Sequence, residues 1–317
     1  MSTRFERLPT RVIVAVVAIP LIVFAIFEGG YVFFGLIGVI SAIALHEFYA
    51  MVRPKGAEPL MGLGIAAGIL VNAAFLYERF QIELYAFFAE RGYQLKLFSQ
   101  LQFLLVVLIV FVLIVLGIEL FRRKGSPLLN VSTTLAGVLV ISLCFGLLIG
   151  LRELYGHGFP FHKFMGGSLL AGDKELATVR AWGGWTVLSI VVAIWFCDTA
   201  AYFVGSVFGR HKLFPSVSPG KTWEGAIAGF VGAVAVMVVG RELFLPYLTL
   251  MDGIFLGVIV GVFGQMGDLI ESRFKRDAGI KDSSALIPGH GGMYDRFDSL
   301  VFIAPFVYLY IDFIVLS

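Results

Sequence analysis

The apolar residues of this chain fall into long blocks, not into amphipathic stripes, and that constrains its fold more than any other feature. A helix needs roughly 20 residues to cross about 30 Å of hydrocarbon, and blocks of about that length recur from end to end. They lie near 12–27, 31–52, 60–77, 100–121, 128–150, 184–208, 224–244, 250–270 and 299–317. Backbone facing lipid finds no water to bond with, so these segments must be helical. The sequence therefore predicts an all-α, polytopic integral membrane protein with about nine transmembrane helices. Composition agrees, since 59% of the 317 residues are hydrophobic and only 15% are charged, against about a quarter charged in soluble domains. A net charge of +2 gives no case for nucleic acid as a partner.

Charge and proline punctuate the blocks. Arg4, Arg7 and Arg11 precede the first, and no small-residue cleavage site follows, so it reads as a retained span. Arg53-Pro54-Lys55-Gly56 ends the second block and Arg122-Arg123-Lys124-Gly125 the fourth. With nine spans, the side holding the N-terminus carries roughly 16 Lys and Arg residues and the other side roughly 8. Positive charge marks the cytoplasm, which predicts an inside N-terminus and an outside C-terminus. The longest outside loops are then 78–99 and 151–183, and His157 and His162 in the second read as solvated residues. The expected organisation is an N-terminal part, 1–183, of five helices and outside loops. A catalytic C-terminal part, 184–317, follows with four helices and cytoplasmic loops.

Ionisable side chains inside a bilayer cost about 2.5–3.5 kcal/mol each on insertion scales, so their placement is informative. In the first five spans nearly all sit at the ends. His46 and Glu47, near the inner end of the second, and Glu119, near the end of the fourth, read as interfacial structural residues. Cys144 and Cys197 lie in apolar blocks and read as small fillers. The C-terminal third differs. Asp198 stands mid-block in Trp195-Phe196-Cys197-Asp198-Thr199-Ala200-Ala201-Tyr202, a site candidate by its cost alone. A basic loop, 209–224, follows. It places Ser218, Lys221 and Thr222 at the opening of a helix, where free N–H groups and positive charge suit a phosphate. Gly220-Lys221-Thr222 looks like the tail of a P-loop, but Pro215 stands where that motif needs glycine and no strand precedes it.

The second polar stretch runs from Gly267 to Ser299. If the eighth span continues as helix, Asp268, Glu271, Ser272 and Lys275 occupy i, i+3, i+4 and i+7 and share one face, with Arg276 a turn beyond Ser272. Asp295 and Asp298 form an i, i+3 pair at the mouth of the last span. Between them lie Lys281 and the run His290-Gly291-Gly292, whose glycines allow backbone to approach a phosphate closely. Mg²⁺ takes one or two carboxylates plus substrate phosphates, and Asp268 with Asp295 could supply them.

These residues resemble a family. Ser272, Lys275-Arg276, Lys281-Asp282, Pro288, His290-Gly291-Gly292 and Asp295-Arg296-Phe297-Asp298 follow, in order, the signature of phosphatidate cytidylyltransferases, also called CDP-diacylglycerol synthases. Asp198-Thr199 with Tyr202, and Ser218-Pro219 with Lys221-Thr222-Trp223-Glu224-Gly225, are similar to it too. Gly220 stands where the family has lysine, and Ala200 where glycine is common. The resemblance implies an inner-membrane enzyme that moves CMP from CTP to phosphatidic acid, releasing pyrophosphate. It also implies Mg²⁺ and a monovalent cation such as K⁺, and leaves a homodimer open. Carried over, Asp268, Asp295 and Asp298 are the metal-binding acids. Ser272, Lys275 and Arg276 contact or neutralise phosphate. Asp198, Ser218, Lys221, Thr222, Lys281, His290, Gly291, Gly292 and Arg296 line the substrates. The competing readings are another CTP-dependent lipid phosphate enzyme, dolichol-kinase-like or an archaeal lipid cytidylyltransferase, and a membrane transporter. The last should carry repeat symmetry or paired broken helices, which the sequence lacks.

Overall fold

The computed structural model describes residues 8–93, 96–156, 158–165, 172–287 and 291–317. Almost all of this is helix. The first helix, α1 (Leu8–Glu28), turns through Gly29 into α2 (Gly30–Val52), which stops where Pro54 removes a donor. Next come α3 (Met61–Ala74) and α4 (Tyr77–Ala89), bent by 67° at the break between them. They are followed by α5 (Gln100–Phe121), whose start is closed by a reciprocal Ser99–Gln102 capping box. A continuous run is built from α6 (Pro127–Gly137), a π-helical segment (Val138–Ser142) and α7 (Leu143–Glu153). The one-turn α8 (Phe161–Phe164) precedes α9 (Asp173–Phe208).

At 36 residues and 1.5 Å per residue, α9 is about 54 Å long and outreaches the hydrocarbon. It starts well before the expected span at 184, so the division of the chain at 183/184 falls inside one helix. A single buried core takes residues from Ala25 to Leu316, on both sides of that division.

Among the described residues, seven helical runs are long and apolar enough to cross a membrane, and the bent α3/α4 pair would make an eighth. The apolar part of α1, Val14–Glu28, is shorter. The polytopic all-α architecture is as expected; the count of nine is not established. On α5 only Phe111, Val115 and Glu119 are buried, while leucines and isoleucines such as Leu105, Ile109, Leu113 and Leu116 face outward. A helix that is apolar all round belongs in lipid. Glu119 is satisfied within the protein by Arg122 Nη1 at 2.7 Å and Asn130 Nδ2 at 3.1 Å, in keeping with its structural reading.

The C-terminal half departs from the sequence reading in one element. Residues 209–222 do not simply lead into a helix. They form an antiparallel hairpin, β1 (Lys212–Phe214) against β2 (Ser218–Thr222), with Lys212 opposite Thr222 and Phe214 opposite Ser218. Helix α10 (Trp223–Phe244) starts directly after it. Helices α11 (Leu250–Asp277) and α12 (Tyr294–Tyr310) complete the bundle, with a π-helical end at Ile311–Val315. The two approach very closely at Gly267, where a β-carbon would sit 2.8 Å from the Asp298 carbonyl oxygen and 2.8 Å from Phe302 Cβ. That contact sets the acids of one helix beside those of the other.

Candidate active site

The expected face of α11 forms. Its helix continues to Asp277, and Glu271, Ser272 and Lys275 are buried along it. Asp268, Glu271 and Asp298 bring one carboxylate oxygen each to within 4.8 Å of one another. Three acids so close repel unless something positive lies among them. Among the described residues, neither oxygen of Glu271 has a hydrogen-bond donor of good geometry, although Lys275 Nζ stands 2.5 Å from its Oε2. A buried carboxylate oxygen without a donor, facing two further acids, fits a hard cation that takes oxygen ligands. Ser272 Oγ donates to Asp268 Oδ1 at 3.3 Å, and the Ser299 N–H to Asp298 Oδ1 at 2.6 Å, which orients these two carboxylates.

Positive charge comes from two directions. Lys221 reaches across from β2 to place its ammonium 2.5 Å from Asp268 Oδ2. Lys275 bridges Glu271 and Asp295, lying 2.8 Å from Asp295 Oδ1. This second bridge is dry: the side chains of Lys275, Glu271 and Asp295 are 11%, 1% and 3% exposed.

Two of the three expected metal-binding acids, Asp268 and Asp298, belong to the converging group. Asp295 is not one of the three converging acids; Glu271, one turn along α11, is. Asp295 Oδ1 is taken by Lys275, and its Oδ2 accepts from Ser283 N (2.9 Å), Ser283 Oγ (3.1 Å) and Gly292 N (2.8 Å). Its lone pairs hold Ser283 and Gly292. Two other residues serve the scaffold. Thr222 is buried and its hydroxyl accepts from Gly225 N at 3.2 Å, so it caps α10 rather than facing a substrate. Arg276 donates from Nε to the Val217 carbonyl and from Nη1 to the Ile280 carbonyl, both at 3.3 Å, tying the hairpin and the next turn to α11.

Of the remaining residues, Ser218 sits half-buried at the start of β2, opposite Phe214, and Lys281 is exposed on the loop. Gly291 has φ +87° and forms an isolated antiparallel bridge with Ile287. His290 and His157 lie outside the described residues.

Asp198, Asp295, Arg296 and Asp298 all line a cavity of about 470 Å³. Its walls are otherwise largely apolar, drawn from α1, α2, α7, α9 and α12 through Ile22, Ile37, Leu148, Val191 and Leu300. Such a groove accepts hydrocarbon along its length and an anion at its end.

Glu47, read from the sequence as an interfacial structural residue, has partners that the sequence did not indicate. It is buried in α2 and accepts from Ser283 Oγ, Ser284 Oγ and the Met293 and Tyr294 amides. Its partners are more than 230 residues away, so no local pattern announces it.

Acids and ammonium groups gathered on two membrane helices, beside an apolar groove, define a membrane-embedded enzyme of phosphate chemistry. Comparison with known proteins gives the family: the profile of the Cytidylyltransferase family matches residues 9–314, and the chain belongs to that family. A relative named phosphatidate cytidylyltransferase in Bacillus subtilis (strain 168) is 31% identical over 304 residues, covering 94% of this chain and 95% of the relative. One of the same name in Synechocystis is 32% identical over 312 residues, covering 96% and 97%. A third, in Haemophilus influenzae, is 42% identical over 138 residues, covering 42% and 48%.

Proposed function

We propose that this protein transfers CMP from CTP to phosphatidic acid, producing CDP-diacylglycerol and pyrophosphate for phospholipid synthesis. Family membership and near-full-length likeness to phosphatidate cytidylyltransferases support the activity. The observation that supports the site assignment is the convergence of Asp268, Glu271 and Asp298, the last of which also lines the polar end of the apolar groove.

The acyl chains lie along the groove and the phosphate reaches its Asp198–Arg296–Asp298 end. A phosphatidate oxygen attacks the α-phosphorus of CTP. A P–O bond forms there as the bond from that phosphorus to the bridging oxygen of pyrophosphate breaks, and the leaving group takes the electron pair. The attacking phosphate is already anionic, so no protein nucleophile is needed. The obstacle is repulsion between two polyanions, and the chain's part is alignment and charge neutralisation. Lys221 and Arg296 offer positive charge from the hairpin and from α12. Lys275 keeps Glu271 and Asp295 in place. Asp268, Glu271 and Asp298 would hold a divalent cation such as Mg²⁺, which would supply Lewis-acid charge neutralisation for the phosphates. The distribution of Lys and Arg supports a cytoplasmic N-terminus and reaction centre in a bacterial inner membrane, with the C-terminus outside.

The test is purified protein with CTP, phosphatidate and Mg²⁺, followed by product analysis. Release of pyrophosphate with CDP-diacylglycerol is expected, and chelation should stop it. Asp298→Asn should lower kcat by about 100-fold or more. Release of CDP would instead mark a lipid kinase, and full activity of Asp298→Asn would remove the cation assignment.

A further inference from the structure

Glu47 lies on α2, far along the chain from every other residue of the centre, and is only 3% exposed. A carboxylate buried so completely is costly unless its lone pairs are met. Here they are. Oε1 accepts from Ser284 Oγ at 2.6 Å and Met293 N at 3.0 Å, and Oε2 from Ser283 Oγ at 2.9 Å and Tyr294 N at 2.8 Å. The two amides belong to the opening of α12, where free N–H groups and the helix dipole favour an anion. The adjacent Phe48 packs edge-on against Phe274 of α11 and Tyr294 of α12, with ring centroids 6.3 and 6.4 Å away.

Ser283 and the residues that open α12 are therefore gripped from two sides. Asp295 holds Ser283 and Gly292 from α12 and Glu47 holds Ser283, Ser284, Met293 and Tyr294 from α2, and Ser283 Oγ is within reach of both carboxylates, at 3.1 and 2.9 Å. A serine hydroxyl has one proton, so the two acids share it. Gly292 fits the same picture, since a β-carbon there would lie 2.6 Å from Glu47 Oε2.

We propose that Glu47 is a positioning residue for CMP transfer: it fixes the first turn of α12 together with Ser283 and Ser284, so that Asp295 keeps Lys275 in place and Asp298 faces Asp268. This rests on the placement of the reaction centre at Asp268, Glu271 and Asp298. Glu47 does not touch that centre, so its removal should lower turnover while leaving the recognition of CTP largely intact.

Glu47→Gln is the informative change because it keeps shape. Each oxygen of Glu47 takes one hydroxyl and one backbone amide. A hydroxyl can turn to accept from the new NH₂ group, but an amide cannot, so either amide orientation leaves one backbone N–H facing a donor. Kinetics of the detergent-purified full chain, normalised to folded protein, should give kcat lowered about 10–100-fold, with KM for CTP within about twofold of wild type. Ser284→Ala removes one of the same bonds without touching α12. It should lower kcat in the same direction, and the double variant should lose less than the product of the two single losses. Should Glu47→Gln not fold, Ser283→Ala and Ser284→Ala carry the test alone, and unchanged kcat in both overturns the proposal. It is equally overturned if Glu47→Gln keeps its kcat, raises only KM, or combines multiplicatively with Ser284→Ala. Asp298→Asn, assayed in parallel, separates the two ideas: if it stays active the reaction centre is misplaced, and if it alone is inactive only the role of Glu47 fails.

Discussion

Removing the Lys275 ammonium is the sharpest perturbation of the site's electrostatics. Lys275→Met keeps most of the stem's volume and deletes the charge. What remains is Glu271 and Asp295, with side chains 1% and 3% exposed, facing each other without their shared counter-ion. Asp295 still has the Ser283 and Gly292 donors, but Glu271 has no other donor of good geometry. Breaking a buried pair by removing one partner costs about 3–5 kcal/mol, because an uncompensated charge stays in a dry site. An exposed pair, such as Lys55–Asp277 with side chains 49% and 67% exposed, would cost at most about 1 kcal/mol. The folded-to-unfolded ratio of Lys275→Met should thus fall by roughly two to four orders of magnitude. Adding Glu271→Gln should restore part of the stability but not the activity, since it removes the orphaned charge together with one of the acids. Thermal unfolding in detergent, read against Lys55→Met as the exposed control, measures the first effect, and CMP transfer the second. If Lys275→Met were no less stable than Lys55→Met, the buried bridge would not hold the site together.

Two further changes probe the groove and the hairpin. Ile194→Trp should fill the apolar cavity and raise KM for phosphatidate severalfold while leaving KM for CTP unchanged; equal effects on both substrates would disconnect the groove from the lipid. Thr222→Ala should cost about 1 kcal/mol of stability through loss of the α10 cap, with KM for CTP unchanged; a raised KM with normal stability would return the hydroxyl to the substrate.

Much of this was readable because it is local. Asp268, Glu271, Ser272 and Lys275 share a face through helical spacing alone, and the structure keeps that face intact to Asp277. The hairpin at 212–222 escaped notice because its strands are three and five residues long and carry no alternating apolar pattern. The roles of Asp295 and Asp298 could not be told apart from an i, i+3 spacing. One lies over the loop and the other over α11, and only the packing of α11 on α12 separates them.

By itself the sequence determined that the chain is a bundle of membrane helices, and it placed the candidate site within residues 198–299. Both follow from the cost of polar groups in hydrocarbon, which acts on each residue where it stands. The tertiary structure decided which acid faces which. Lys221 finds Asp268 from a hairpin 47 positions earlier in the chain, and Glu47 finds its loop from the second helix. Those pairings depend on how helices cross, and a crossing leaves no periodic trace in the order of the residues.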